Sequence, residues 1–161
     1  MISLLDDQIR RASRQHQKLV EYVEQTKLEE ALSDRADVWA QGEFGGSLDG
    51  SISSIVHHLA LWKTLTLPAF SGSELRTLAE TDLTQFPSPH DWDKVSVWFL
   101  EVSAKWAEAI QNISAERHQC SIGWEGEPIE FWRMIAHMLD HDVYHYGQLE
   151  YQKARRGVST V

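Results

Sequence analysis

Apolar residues open the chain in steps of four and three: Leu5, Ile9, Ala12, His16, Leu19, Val23 and Thr26. Such spacing keeps side chains on one face of an α-helix, and here a histidine sits inside the stripe. A second stripe, Ile52, Ile55, Leu59, Trp62 and Leu65, predicts a helix from about Ser51 to Ala69. A third, Trp92, Val95, Phe99, Val102, Trp106, Ala109 and Ile113, follows Ser88-Pro89, a serine N-cap with proline at the first helical position. The fourth predicted helix starts near Pro128, runs to about Arg156 and stops at Gly157.

Polar connections separate these stripes. Asp34 and Asp37 before Gly42, Gly45, Gly46 and Gly50 read as a loop, with a short helical turn near Leu28-Leu32. A linker from Ser71 to Ser88 carries a short helix near Glu74-Ala79. Few segments favour strands, and no internal repeat is evident. Four amphipathic helices with unequal connections predict an all-α four-helix bundle, built as a single domain over residues 1–161.

The fourth stripe carries chemistry: His137-Met-Leu-Asp-His141-Asp-Val-Tyr-His145-Tyr-Gly-Gln-Leu149. With His141 at zero on the helical wheel, His137 falls at about −40°, His145 at about +40° and Gln148 at about −20°. Phe131, Met138, Tyr144 and Leu149 flank this arc. Three imidazoles and an amide therefore line the centre of an otherwise apolar face that points into the bundle. Burying them unpaired costs several kcal/mol. Hydrogen bonds from other helices, or one shared metal ion, would offset that cost.

A lone histidine on an apolar face is usually a satisfied core residue. A His-x-x-x-His pair one turn apart is a stronger signal, because both rings can reach one ion. A further ligand would have to come from another helix, and His57-His58 supplies a candidate. With His58 at zero, Leu65, Trp62 and Ile55 fall within about 60° while His57 falls at about −100°. His58 is the inward residue and His57 the rim residue. His16 and His137 are further candidates for the site. His90 and His118 flank loops and read as surface residues. Asp142 follows His141 where the zinc-metalloprotease helix has glutamate, so a protease is not supported. Neutral imidazoles suit Zn²⁺, Ni²⁺, Fe²⁺ or Cu²⁺ better than Mg²⁺ or Ca²⁺. Such ligands must be neutral, so metal occupancy is expected to fall below about pH 6.5.

Composition narrows the partners. Fifteen basic and 24 acidic residues give a net charge of −9. That balance argues against a nucleic-acid surface, which needs clustered cations, and against anionic membranes. No apolar run reaches the roughly 20 residues that span a bilayer. The N-terminus lacks a signal-peptide pattern, and Cys120 is the sole cysteine. A cytoplasmic protein is expected. Trp132, Leu139, Val143 and Tyr146 form a second stripe on the fourth helix, which a neighbouring element or a second subunit of a homodimer would cover.

Two motifs carry a family resemblance: Ser54-Ile-Val-His-His58-Leu-Ala-Leu-Trp62 and His141-Asp-Val-Tyr-His145-Tyr-Gly147-Gln148-Leu149. With Trp124-Glu-Gly126-Glu-Pro128 ahead of the fourth helix, the chain resembles the DinB-like superfamily of metal-binding four-helix proteins, unrelated to the DNA polymerase that shares the name. The resemblance implies a metal site between helices two and four, held by His58, His141 and His145, with His137 outside it. Tyr146 stands where the family commonly has arginine, on the side away from that site. Some members resemble transferases that use a metal-bound low-molecular-weight thiol such as bacillithiol or mycothiol, and a related branch isomerises maleylpyruvate with mycothiol. A divalent-metal-dependent thiol S-transferase acting on a small-molecule substrate is therefore implied, with zinc or nickel and a small thiol as cofactors. Tyr144 or a carboxylate of the first helix would orient ligands. The alternatives are a metal-dependent hydrolase, with Glu130 or a first-helix acid as general base, and a non-enzymatic, stress-related metal-binding or structural bundle.

Overall fold

Ser3 starts the first helix by a reciprocal cap: its hydroxyl accepts from the backbone of Asp6, whose carboxylate returns to Ser3. Asp6 and Asp7 add negative charge at the positive end of the helix dipole. The computed structural model describes residues 3–32, 51–73, 75, 78–124 and 127–158, with side chains up to 154. Its helices are α1 (Leu4–Gln25), α2 (Leu28–Ala31), α3 (Ile52–Thr66), α4 (Trp92–Gln111), α5 (Ala115–Gln119) and α6 (Phe131–Val158). The polar stretch from Asp34 to Gly50 lies outside the described residues, as does part of the Glu74-Ala79 segment, of which a 3₁₀ turn at Leu78–Glu80 is seen.

The four long helices, α1, α3, α4 and α6, form a four-helix bundle. Their order round the ring differs from their order in the chain. α1 packs on α4 and α6, and α3 packs on the same two helices. The first and second long helices are thus diagonal partners, and the second and fourth lie side by side. An up-and-down bundle with chain order round the ring would put α3 and α6 on a diagonal. α3 has few exposed positions: Val56, Ala60 and Leu61 are buried along with Ile52, Ile55, Leu59 and Leu65 of the predicted stripe, and Trp62 is half-buried. Its near-continuous apolar surface is what a helix gripped on both flanks requires.

Two boundaries differ from the sequence pattern. The helix expected from Ser88-Pro89 begins at Trp92, because Asp91 is its cap, accepting from Lys94 N and holding Lys94 Nζ at 2.6 Å. Ser88 instead closes the preceding turn, through Asp91 N to Ser88 O. The helix expected from Pro128 begins at Phe131, because residues 121–130 form an antiparallel hairpin, β1 (Ser121–Trp124) with β2 (Glu127–Glu130). Ile122 opposite Ile129 supplies its inward side, and Pro128 is tolerated because each strand of a pair is also an edge. Phe131 N donates to Cys120 O at 2.8 Å, which fastens the start of α6 to the start of the hairpin.

Buried apolar residues gather in two clusters. One holds Leu19, Val23, Ile55, Leu59, Phe99 and Leu149; the other holds Ala12, Trp106, Ile110, Phe131, Met134 and Met138. Burying each large side chain contributes about 1.5–3 kcal/mol. Each long helix places polar residues between the clusters: His16 on α1, Lys63 on α3, Ser103 on α4, and His141, Asp142 and His145 on α6. The bundle is two oily cores separated by a polar layer. Of the second stripe on α6, Leu139 is fully buried and Tyr146 packs edge-on against Tyr22, while Val143 stays exposed. Among the described residues no helix is long and apolar enough to cross a membrane.

Candidate metal centre

Adjacency of α3 and α6 brings three imidazoles to one point in the polar layer. His58 Nε2 lies 3.0 Å from His141 Nε2, and His145 Nε2 lies 3.2 Å from the same atom. Ring centroids are 4.5–5.0 Å apart. The helical repeat aligns His141 and His145, and the inward face of α3 supplies His58. A tetrahedral zinc with nitrogens at about 2.0–2.1 Å would hold them about 3.3 Å from one another. The observed spacing fits a single ion of that size, and the donor set suits a borderline-soft transition metal.

Protonation points the same way. His145 is fully buried, and its Nδ1–H donates to Gln148 Oε1 at 2.7 Å. That bond fixes the tautomer and leaves Nε2 a bare lone pair directed at His141. Burial, reinforced by the neighbouring His145 and His57, pushes His58 down to about 3. Burial, then His145, His58 and Lys63, pushes His141 down to about 2. His145 is lowered by burial against the opposing pull of Gln148 and Asp142. The rings stay neutral, in the form that ligates metal. His141 Nδ1 is buried without a protein partner.

The rim of this centre is aromatic. Trp62 stands edge-on to His58 and His141, and Trp124 of the hairpin stacks parallel to it at 6.2 Å. Tyr144 is exposed and edge-on to His145.

The other histidines have different fates. His57 is a rim residue, with its Nε2–H on Pro87 O and its ring against Trp98. His90 is exposed. His137, which the wheel places on the inward arc, is exposed with Trp124 edge-on against it, because the buried arc of α6 centres on Met138, Asp142, His145 and Leu149 and leaves His137 at its margin. His16 is half-buried near Lys63 and Asp142 and stands apart from the three converging nitrogens. His118 corrects the surface reading. It is 4% exposed, because α5 folds back so that its Nε2–H reaches Gln8 Oε1 at 2.7 Å. Glu130, the candidate base, is exposed and paired with Arg133.

One buried ion pair escaped the sequence reading. Lys63 Nζ donates to Asp142 Oδ1 at 2.8 Å and Oδ2 at 2.6 Å, both side chains being 4% exposed. A signal existed: Lys63 is the sole charged residue of α3.

An all-α bundle with a tri-histidine centre between two neighbouring helices is the class these observations define. The three converging rings could hold one metal ion. The chain belongs to the DinB superfamily, whose sequence profile matches residues 11–149. Among solved structures it is similar to YfiT from Bacillus subtilis, described as a probable metal-dependent hydrolase with an unusual four-helix bundle topology. The two share 16% identity at a TM-score of 0.69, over 95% of this chain and 87% of that one. At that identity the likeness speaks for the fold. No curated protein matches the chain.

Proposed function

We propose that the chain is a divalent-metal-dependent enzyme in which His58, His141 and His145 hold a zinc- or nickel-type ion, and that it transfers a low-molecular-weight thiol onto a small electrophile. The observation that carries this reading is the convergence of three Nε2 atoms, with no carboxylate among the described residues completing the group. A bound ion with three neutral protein ligands and an open position supplies the Lewis acidity that turns a thiol into a thiolate at neutral pH. The imidazoles bring no charge of their own, so the full charge of the ion acts on the incoming ligand. Gln148 holds the His145 ring by its Nδ1–H. Trp62 covers the edges of His58 and His141 and limits water there. Tyr144, exposed beside His145, is placed to orient a substrate.

A second reading, hydrolysis by activated water, takes support from the description of YfiT. It needs a base within reach of the water, and Glu130 is occupied by Arg133 at 2.9 Å. The deciding experiment has two assays on one preparation. Metal content is measured, and the protein is then tested for thiol conjugation to a haloalkyl probe and for ester and amide cleavage. The thiol reading expects conjugation that a chelator abolishes and Zn²⁺ or Ni²⁺ restores. Metal-dependent cleavage without conjugation would replace it with the hydrolase reading. A protein that takes up no metal sinks both.

A further inference from the structure

Buried ion pairs seldom repay their desolvation in stability; apolar residues of similar volume usually serve as well or better. The Lys63–Asp142 pair therefore calls for another account. It joins α3 to α6, the two helices that supply the three imidazoles, and Asp142 directly follows His141. At 100° per residue Lys63 lies about 140° round α3 from His58, and Asp142 about 100° round α6 from His141. The pair thus grips the same two helices from the inner side of their seam. There Trp106 of α4 lies with its ring 5.0 Å from Lys63 Nζ, and His16 of α1 is within electrostatic reach of both charges. Trp106 is itself anchored, its Nε1–H donating to Thr66 Oγ1 one turn beyond Lys63. All four long helices meet at this point.

We propose that Lys63 and Asp142 are positioning residues that set the rotation of α3 against α6 and so hold the three imidazoles at the spacing one metal ion needs. This rests on the metal reading above. Both charges are buried, so a helix rotation that parted them would leave each uncompensated in the interior. Apolar packing at the same place would tolerate far more rotation, because dispersion is non-directional. On this account the pair contributes specificity of arrangement, which the neighbouring ligand set then uses.

The test replaces both charges together. Lys63→Met/Asp142→Leu removes the pair without leaving either charge buried alone. Its metal-free form should unfold at a temperature equal to or above that of the wild type. Its zinc affinity, measured by chelator competition, should fall at least about tenfold, the scale on which residues behind metal ligands act. Its Co²⁺ complex should show a weaker and shifted ligand-field band. Unchanged zinc affinity with an unchanged Co²⁺ spectrum would overturn the proposal and leave the pair a purely structural feature. Should the double variant not fold, Lys63→Gln/Asp142→Asn keeps a neutral hydrogen bond across the seam, and the same two outcomes decide. Should the wild type itself take up no zinc, the metal reading fails on its own. The pair is then judged by crystal structures of the wild type and double variant. A His58–His141 Nε2 separation that stays near 3.0 Å overturns the positioning role, and a wider one supports it.

Discussion

His118 and His145 are both buried histidines, each with one ring nitrogen 2.7 Å from a glutamine carbonyl oxygen. What differs is the surroundings of the second nitrogen. His118 belongs to a closed chain, because Gln8, its partner, spends its amide N–H on Trp132 O at 3.0 Å. His145 has its other nitrogen pressed toward His141, which in turn faces His58. Burial and a hydrogen bond are common to both, so neither marks a metal site. Convergence of nitrogens does, and only the second place has it.

The largest effect that can break this comparison is on metal content. His141→Ala or His145→Ala should reduce bound metal from about one ion per chain to nearly none, since two imidazoles do not make a site of this type. His118→Ala should keep the full metal content while losing about 1–3 kcal/mol of stability, because Gln8 Oε1 is left unsatisfied in the interior. Elemental analysis and urea unfolding of the three variants check both halves. Equal metal loss in all of them would erase the distinction between the two histidines.

Acid should separate the regions next. The unfolded chain titrates its histidines at about 6.5, whereas His58 is held at about 3 and His141 at about 2, mainly by burial. Between these values the unfolded chain binds more protons than the folded one. The metal-free protein therefore loses stability as pH falls below about 6.5, by up to about 1.4 kcal/mol per pH unit for each such ring, until the folded rings themselves protonate. Unfolding series at pH 7.5 and pH 5 measure the slope, and His58→Leu should flatten it. The lowered values also move the expected release of metal from the folded protein to more acid conditions than ordinary histidine chemistry suggests. A slope unchanged by His58→Leu would show that the cluster is not held neutral.

Smaller effects sharpen the picture behind the ligands. Gln148→Leu removes the Oε1 that accepts from His145 Nδ1–H and should weaken metal binding about 10- to 100-fold, with all three imidazoles retained. The smallest change is expected for Cys120→Ser. Cys120 caps α5 and lies outside the imidazole group, so metal content and thiol conjugation should stay as in the wild type. Lost conjugation in that variant, with normal folding, would mean that the protein supplies the nucleophile.

Much of the molecule follows from periodicity alone. Stripes of apolar residues at helical spacing define α1, α3, α4 and α6, because a helix with one oily face must bury it. The pair His141 and His145 is legible for the same reason: the helical repeat fixes i and i+4 on one side without help from the rest of the fold. His58 is legible as the inward member of its pair, since the wheel separates it from His57. Other features needed the tertiary structure. Which helices are neighbours is a property of the ring order, and periodicity is silent on it; only the adjacency of α3 and α6 brings His58 to the other two rings. The hairpin before α6 is too short for its two inward isoleucines to outweigh a proline read as a helix start, and its Trp124 packs edge-on against His137. His118 looks like a loop residue until α5 folds it onto Gln8, far away in sequence. Lys63 and Asp142 look like surface charges until each meets the other inside the bundle, because a charge is tolerated in the interior only by a partner the local sequence does not name.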